Sequence, residues 1–120
     1  MSPDVSIRLL GTADATLLDS VAEDVFDEEV QAKLATEFLA DPRHHIAVAL
    51  AGARVVGFAS AVHYVHPDKP AELWINEVGV APAYQRQGIG RRLMQALLER
   101  GREIGCGEAW VLTEHDNEAA

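Results

Sequence analysis

Cysteine is nearly absent. Cys106 is the single one in 120 residues, so no disulfide can form within one chain, and an apolar core must hold the fold instead. No apolar run approaches the ~20 residues of a membrane span, and the N-terminus lacks the basic-then-apolar pattern of a secretory leader. Basic residues are scarce, 10 Lys and Arg against 19 Asp and Glu, for a net charge of −9. Such a surface repels nucleic acid. These absences predict a cytoplasmic protein with neither nucleic acid nor membrane as partner. The acidic balance suits a cationic small molecule, or serves solubility alone. Two nucleotide signatures are missing as well. G-x-x-x-x-G-K-[ST] does not occur, and G-x-G-x-x-G fails because Leu93 stands where its third glycine would fall. His44-His45 and His63-x-x-His66 have no third ligand at metal-site spacing, so no metal is expected.

What is present is concentrated in Val78-Gly79-Val80-Ala81-Pro82-Ala83-Tyr84-Gln85-Arg86-Gln87-Gly88-Ile89-Gly90-Arg91-Arg92-Leu93. An apolar strand runs into a polar, glycine-containing turn that opens directly into an amphipathic helix. The first N–H groups of a helix have no intrahelical partner, and the dipole places partial positive charge at the same end. Gly88 and Gly90 remove the Cβ that would keep a phosphate away from the backbone. Arg86, Arg91 and Arg92 gather where the dipole disfavours them, which a plain strand-to-helix connection leaves unexplained. The loop is suited to an anion, a pyrophosphate in particular.

Along the chain, Ser6 to Leu10 reads as a first strand ended by Gly11. Leu17, Leu18, Val21, Ala22 and Val25 recur at helical spacing and predict an amphipathic helix from Asp14. An acidic cluster follows, with Glu23, Asp24, Asp27, Glu28 and Glu29. Val30, Leu34 and Phe38 begin a second apolar stripe that Asp41-Pro42 stops. Ile46 to Leu50 and Val55 to Tyr64 form a hairpin around Ala51-Gly52-Ala53. Ala71 to Val80 is the central strand, and its parity changes partway: Leu73 and Ile75 are apolar at odd positions, Val78 and Val80 at even ones. That pattern fits a twist, a bulge near Asn76 and Glu77, or burial of both faces. A helix from Gly88 to about Ile104 presents Ile89, Leu93, Leu97 and Ile104 to the sheet, with Gly101 allowing close approach. Glu108 to Leu112 is a last strand, parallel to the central one by a right-handed crossover.

The segment Gln85-x-x-Gly88-x-Gly90, preceded by Val-x-Val-x-Pro and followed by a helix, resembles the coenzyme A loop of the GNAT family of N-acetyltransferases, whose signature is [Gln/Arg]-x-x-Gly-x-[Gly/Ala]. The order of elements is similar over nearly the whole chain. The resemblance implies an α/β acyl-coenzyme A N-acyltransferase fold, a mixed, twisted sheet flanked by helices, with residues 1–120 as one domain. In that family a bulge in the central strand splays two parallel strands, and the pantetheine arm of the cofactor enters the gap. The aromatic strand Glu72-Leu73-Trp74-Ile75-Asn76-Glu77-Val78 and the proline-containing loop before it are similar to small-molecule members of the aminoglycoside 3-N-acetyltransferase I type. The family pattern continues with an Asn-x-x-Ala helix, a tyrosine and two closing strands. Here Asn117-Glu118-Ala119-Ala120 matches the start of that motif, which predicts a C-terminally incomplete domain without the usual terminal helix and strands. A fragment, a homodimer supplying those elements by exchange, and a non-catalytic acyl-coenzyme A-binding module all remain compatible with it.

The resemblance implies acetyl-coenzyme A as cosubstrate and direct transfer to a primary amine in a ternary complex. The amine must lose a proton to a base, and the thioester oxygen needs a donor as it becomes an oxyanion. Glu77 is the candidate base, against the competing reading of a glutamate paired with a strand neighbour. The Val78 N–H is the candidate oxyanion donor. The main chain of Val78 and Val80 would hold the pantetheine amides. Gln85, Arg86, Gln87, Gly88, Ile89, Gly90 and Arg91 would hold the pyrophosphate, and Asn117 would touch the arm from the other side. Asp24, Asp27, Glu28, Trp74 and Asn76 are candidates for the acceptor, expected to be a small cationic amine such as an aminoglycoside. A protein lysine or N-terminus is the alternative. Cys106, between glycines and far from any histidine, is expected to be a partly buried small residue and not a nucleophile.

Overall fold

A computed structural model describes residues 4–112. Strand β1 (Val5–Leu9) leads to a 3-10 helix (Thr12–Asp19), then helix α1 (Ala32–Ala40) and the hairpin β2 (His44–Ala51) and β3 (Arg54–Tyr64). Strand β4 (Glu72–Val80), a short 3-10 turn (Pro82–Tyr84), helix α2 (Ile89–Glu103) and β5 (Glu108–Val111) follow. The strands form one five-stranded sheet in the order β1-β2-β3-β4-β5. All neighbours are antiparallel except β4 and β5, which the α2 crossover makes parallel. The mixed sheet flanked by helices is the fold expected from the motif.

Helix α2 buries Ile89, Leu93, Leu97 and Gly101 on the sheet. A Cβ at Gly101 would lie 3.2 Å from Leu73 Cδ2, so glycine lets the helix and β4 approach closely. The first turn of α2 holds no acidic residue and carries Arg91 and Arg92. Each such cation costs about 0.3–1 kcal/mol against the dipole, whereas each buried Ile or Leu gains about 1.5–3 kcal/mol. Packing therefore holds the helix in spite of its charge pattern.

Three sequence expectations are corrected. The segment after Gly11 is a 3-10 helix that ends at Asp19 and buries only Leu18. The apolar residues beyond it serve other contacts: Val21 bridges to Val55, with Ala22 N–H donating to Val55 O and Val55 N–H to Ser20 O, each at 2.8 Å. In α1 the buried residues are Ala35 and Leu39, while Leu34 is 53% exposed. Phe38 instead stacks on His44, centroids 4.8 Å apart. Ile104 is the C-cap, past the last helical residue Glu103, and is exposed.

Candidate functional site

The site begins with one extra residue. Opposite β3, Ala61 faces Ile75 and Ser60 faces Glu77, so Asn76 is a bulge in β4. On its other side β4 pairs with β5 over Glu72–Ile75, and Leu112, the last described residue, donates its N–H to Ile75 O at 2.8 Å. Beyond Ile75, no described strand pairs with this edge of β4. Ala81 N–H donates to Val56 O at 2.8 Å. Main-chain groups alternate sides along a strand, so the N–H groups of Val78 and Val80 point away from β3. The parity change seen in the sequence is this bulge. It keeps Leu73, Ile75, Val78 and Val80 on the α2 face: a Cβ at Gly90 would touch Val78 Cγ1 at 3.7 Å. Glu77 lies on the opposite face, exposed.

The Val78–Val80 edge runs directly into the turn before α2. Gln85 folds back, its Nε2 donating to Val80 O at 3.0 Å, and Gln87 Nε2 donates to Ala83 O at 3.4 Å. Arg86 (φ 65) and Gly88 (φ 78) are left-handed. Such residues curl a turn so that successive N–H groups gather into an anion-binding concavity. Gly88 is the N-cap of α2 and supplies no capping side chain, so the N-terminal N–H groups of the helix keep their capacity for a ligand. Arg86 and Arg91 are exposed beside them. Arg92 has a different use: its guanidinium donates to Val5 O at 3.1 Å, tying α2 to β1.

The predicted acceptor residues fall into separate groups. Asp24, Asp27 and Glu28 are exposed on the connection 20–31, which crosses the same face as Glu77. Trp74 and Asn76 line an open, mostly apolar pocket of about 450 Å³ with Tyr64, His66, Glu72 and Leu112. Trp74 stacks on Trp110, centroids 5.6 Å apart, and meets Tyr64 edge-on. Glu72 is buried, accepts from His66 Nε2 at 3.1 Å and lies 3.6 Å from Lys69 Nζ. Burial would raise its carboxyl, but the His66 bond, Lys69 and Glu108 outweigh that and hold it below its ordinary value. Asn117 lies outside the described residues.

Away from this edge, Cys106 is half-buried and burial pushes its thiol up, against a nucleophile. His45 Nε2 and His63 Nδ1 share a hydrogen at 2.8 Å between the sheet and the end of α2. Burial, with His63, Arg100 and His44 around it, lowers His45 to about 4. Among the described residues no group of three or more His, Cys, Asp or Glu is placed to hold a metal ion, and no helix is long and apolar enough to cross a membrane. Sequence reasoning missed Phe26, which stacks on Phe58 at 4.0 Å. Its signal was an apolar pair, Val25-Phe26, inside an otherwise acidic stretch.

A model of the acetyltransferase (GNAT) family matches residues 15–120. The chain is 33% identical over 118 residues to the N-alpha-acetyltransferase RimI of Mycobacterium tuberculosis, covering 97% of this chain and 72% of that one. It is 34% identical over 102 residues to a mycothiol acetyltransferase of Salinispora arenicola, 85% of this chain but 31% of that longer protein. Among solved structures, an aminoglycoside acetyltransferase from an uncultured soil metagenomic sample, in complex with sisomicin, superposes with a TM-score of 0.80 at 21% identity, over 96% of this chain and 82% of that one. Likeness at that identity speaks for the fold alone. The family match and the RimI relative span most of the sequence and assign it: the chain belongs to the GNAT family and is an N-acetyltransferase.

Proposed function

We propose that the protein transfers the acetyl group of acetyl-coenzyme A to a primary amine of a small cationic acceptor, aminoglycoside-like amines among them, by direct attack in a ternary complex. The observation that carries this is the Asn76 bulge in β4 followed by the Val78 and Val80 N–H groups, which point away from β3 along an edge continuous with the uncapped start of α2. An elongated ligand with amides along one half and a pyrophosphate at its end fits such an edge. Val78 and Val80 would hold the pantetheine amides, and Gln85, Arg86, Gln87, Gly88, Ile89, Gly90 and Arg91 the pyrophosphate. The thioester carbonyl then lies at the Val78 N–H, which takes the developing oxyanion. Glu77, exposed on the opposite face, receives the amine's proton directly or through water. Its exposure does not support the reading of a strand-paired glutamate. Asp24, Asp27, Glu28, Trp74 and Asn76 would face the acceptor, and their carboxylates favour a cation.

A second acceptor, the α-amine of a protein N-terminus, is favoured by the identity to RimI, which is a nearer relative in sequence than the aminoglycoside enzyme. Calorimetric titration with acetyl-coenzyme A, followed by thiol release with spermidine, a 2-deoxystreptamine aminoglycoside and an alanine-leading peptide, tests both. Turnover with the small amines supports the first reading, and turnover with the peptide alone replaces it by the second. Absence of acetyl-coenzyme A binding refutes the assignment of the edge.

A further inference from the structure

We propose that Gly79 is a positioning residue for the acceptor: its missing side chain seats the 20–31 connection against β4. The proposal rests on reading that connection as a wall of the acceptor site. A Cβ at Gly79 would collide with the Val25 carbonyl oxygen and reach Phe58 Cε1 at 3.0 Å. The obstacle is main chain, which a rotamer change cannot move aside. Val25 is buried at this contact, and Phe26 beside it stacks on Phe58 with centroids 4.0 Å apart and planes 23° from parallel. Upstream, the Val21–Val55 bridge fixes where the connection leaves the sheet, through the Ala22–Val55 and Val55–Ser20 main-chain bonds. Three contacts therefore hold residues 21–26 down on the face that carries Glu77, and Gly79 is the one that sets their height.

The direction of the contact separates its effect from cofactor binding. Side chains stand perpendicular to the sheet, whereas the Val78 and Val80 N–H groups lie within its plane. Gly79→Ala lifts the connection, and the Phe58 ring with it, without occupying the edge that the cofactor would use. Nothing in this requires the carboxylates of the connection to form a site of their own. It requires only that their distance from Glu77 be fixed by the strand beneath them.

Gly79→Ala, and Phe26→Leu as a second route to the same loosening, are compared with wild type using the best acceptor of the panel above. The acceptor kcat/KM is expected to fall at least about tenfold in both, since misplacement of an ångström at a reacting site costs on that order or more. The acetyl-coenzyme A Kd should stay unchanged. An unmoved acceptor kcat/KM, or a Kd for acetyl-coenzyme A that weakens in parallel, overturns the proposal. Should wild type acetylate none of the amines, the proposed function fails, and the seat is read without turnover by hydrogen exchange at the amides of Val25, Phe26, Asp27 and Glu28. Faster exchange in Gly79→Ala supports it and unchanged exchange refutes it.

Discussion

Replacing Gly88 by alanine should cost acetyl-coenzyme A affinity for a reason that can be isolated. Gly88 has φ 78 and ψ 9, and a Cβ there would meet nothing within 4 Å. The added methyl therefore clashes with no neighbour, and the whole penalty is the left-handed backbone itself, about 1–2 kcal/mol for an L-residue. That penalty can appear in two places. If the turn keeps its shape, it appears as lost stability. If the turn relaxes in the free protein, it is met on binding. Residues 85–88 are exposed, and Gln85 and Gln87 anchor them through bonds to Val80 O and Ala83 O. Relaxation is thus the cheaper course. The expectation is a Kd weaker by roughly five- to thirtyfold, with little change in urea midpoint. Gly90 is the internal control. Its φ is not positive, and its Cβ would make only an ordinary contact with Val78 at 3.7 Å. Alanine there should stabilise α2 by about 0.5–1 kcal/mol, and since the loop signature admits alanine as well as glycine at its place, it should cost less affinity than alanine at Gly88. Equal losses of affinity in the two variants, or a Gly88→Ala protein altered in neither quantity, would refute the argument.

Glu77→Gln should lower kcat by about 10²–10⁴-fold with the acetyl-coenzyme A Kd unchanged, and a variant that kept full kcat at neutral pH would remove Glu77 as the base. Between His45's ordinary value of 6.5 and its folded value of about 4, the unfolded chain takes up a proton that the folded chain refuses, so stability to urea should fall as pH drops through that window. His45→Gln should flatten that slope, and an identical slope in the variant would assign it to other groups. Gly101→Val should destabilise by about 1–3 kcal/mol, because even a Cβ would sit 3.2 Å from Leu73, and chemical denaturation measures it directly.

What was legible in the sequence divides by the range of the interaction responsible. The turn and α2 were readable because their causes are local: glycine where the backbone is left-handed, apolar residues at helical spacing, an aromatic and proline before the turn. The bulge was readable too, since a parity change inside one strand has few explanations. The 20–31 connection was not. Val21 and Val25 fell at helical spacing after Leu17 and Leu18, yet both are apolar because they pack on the core from an irregular connection, held there by the Val21–Val55 bridge and the contact of the Val25 carbonyl with Gly79. Both partners are distant in sequence, and periodicity cannot tell one cause of apolarity from another. Arg92 failed similarly. It was grouped with Arg86 and Arg91 by proximity, but its partner is the Val5 carbonyl, 87 residues away.

The bulge gives the sharpest test of how sequence becomes site. With Asn76 removed, Ile75, Glu77, Val78, Gly79 and Val80 would alternate perfectly, Ile75, Val78 and Val80 toward α2 and Glu77 and Gly79 away. No side chain would change face, and the pairing of Ser60 with Glu77 and Ala61 with Ile75 would already be in register. Asn76 itself is exposed, so its loss leaves no cavity in the core. Regular pairing does not need the extra residue. The deletion is therefore expected to fold with unchanged or greater stability. What it removes is the local bend and extra twist that the bulge gives β4. A regular β4 presents the Val78 and Val80 N–H groups along a different line from the start of α2. If both of their main-chain bonds to the cofactor are forfeited, at about 0.5–1.5 kcal/mol each, acetyl-coenzyme A should bind roughly five- to 150-fold more weakly. Calorimetry and urea unfolding on the same preparation separate the outcomes. A stable deletion protein that has lost affinity supports the bulge as the feature that makes a binding edge out of a sheet. A stable one that binds as before shows that the binding edge does not depend on the bulge.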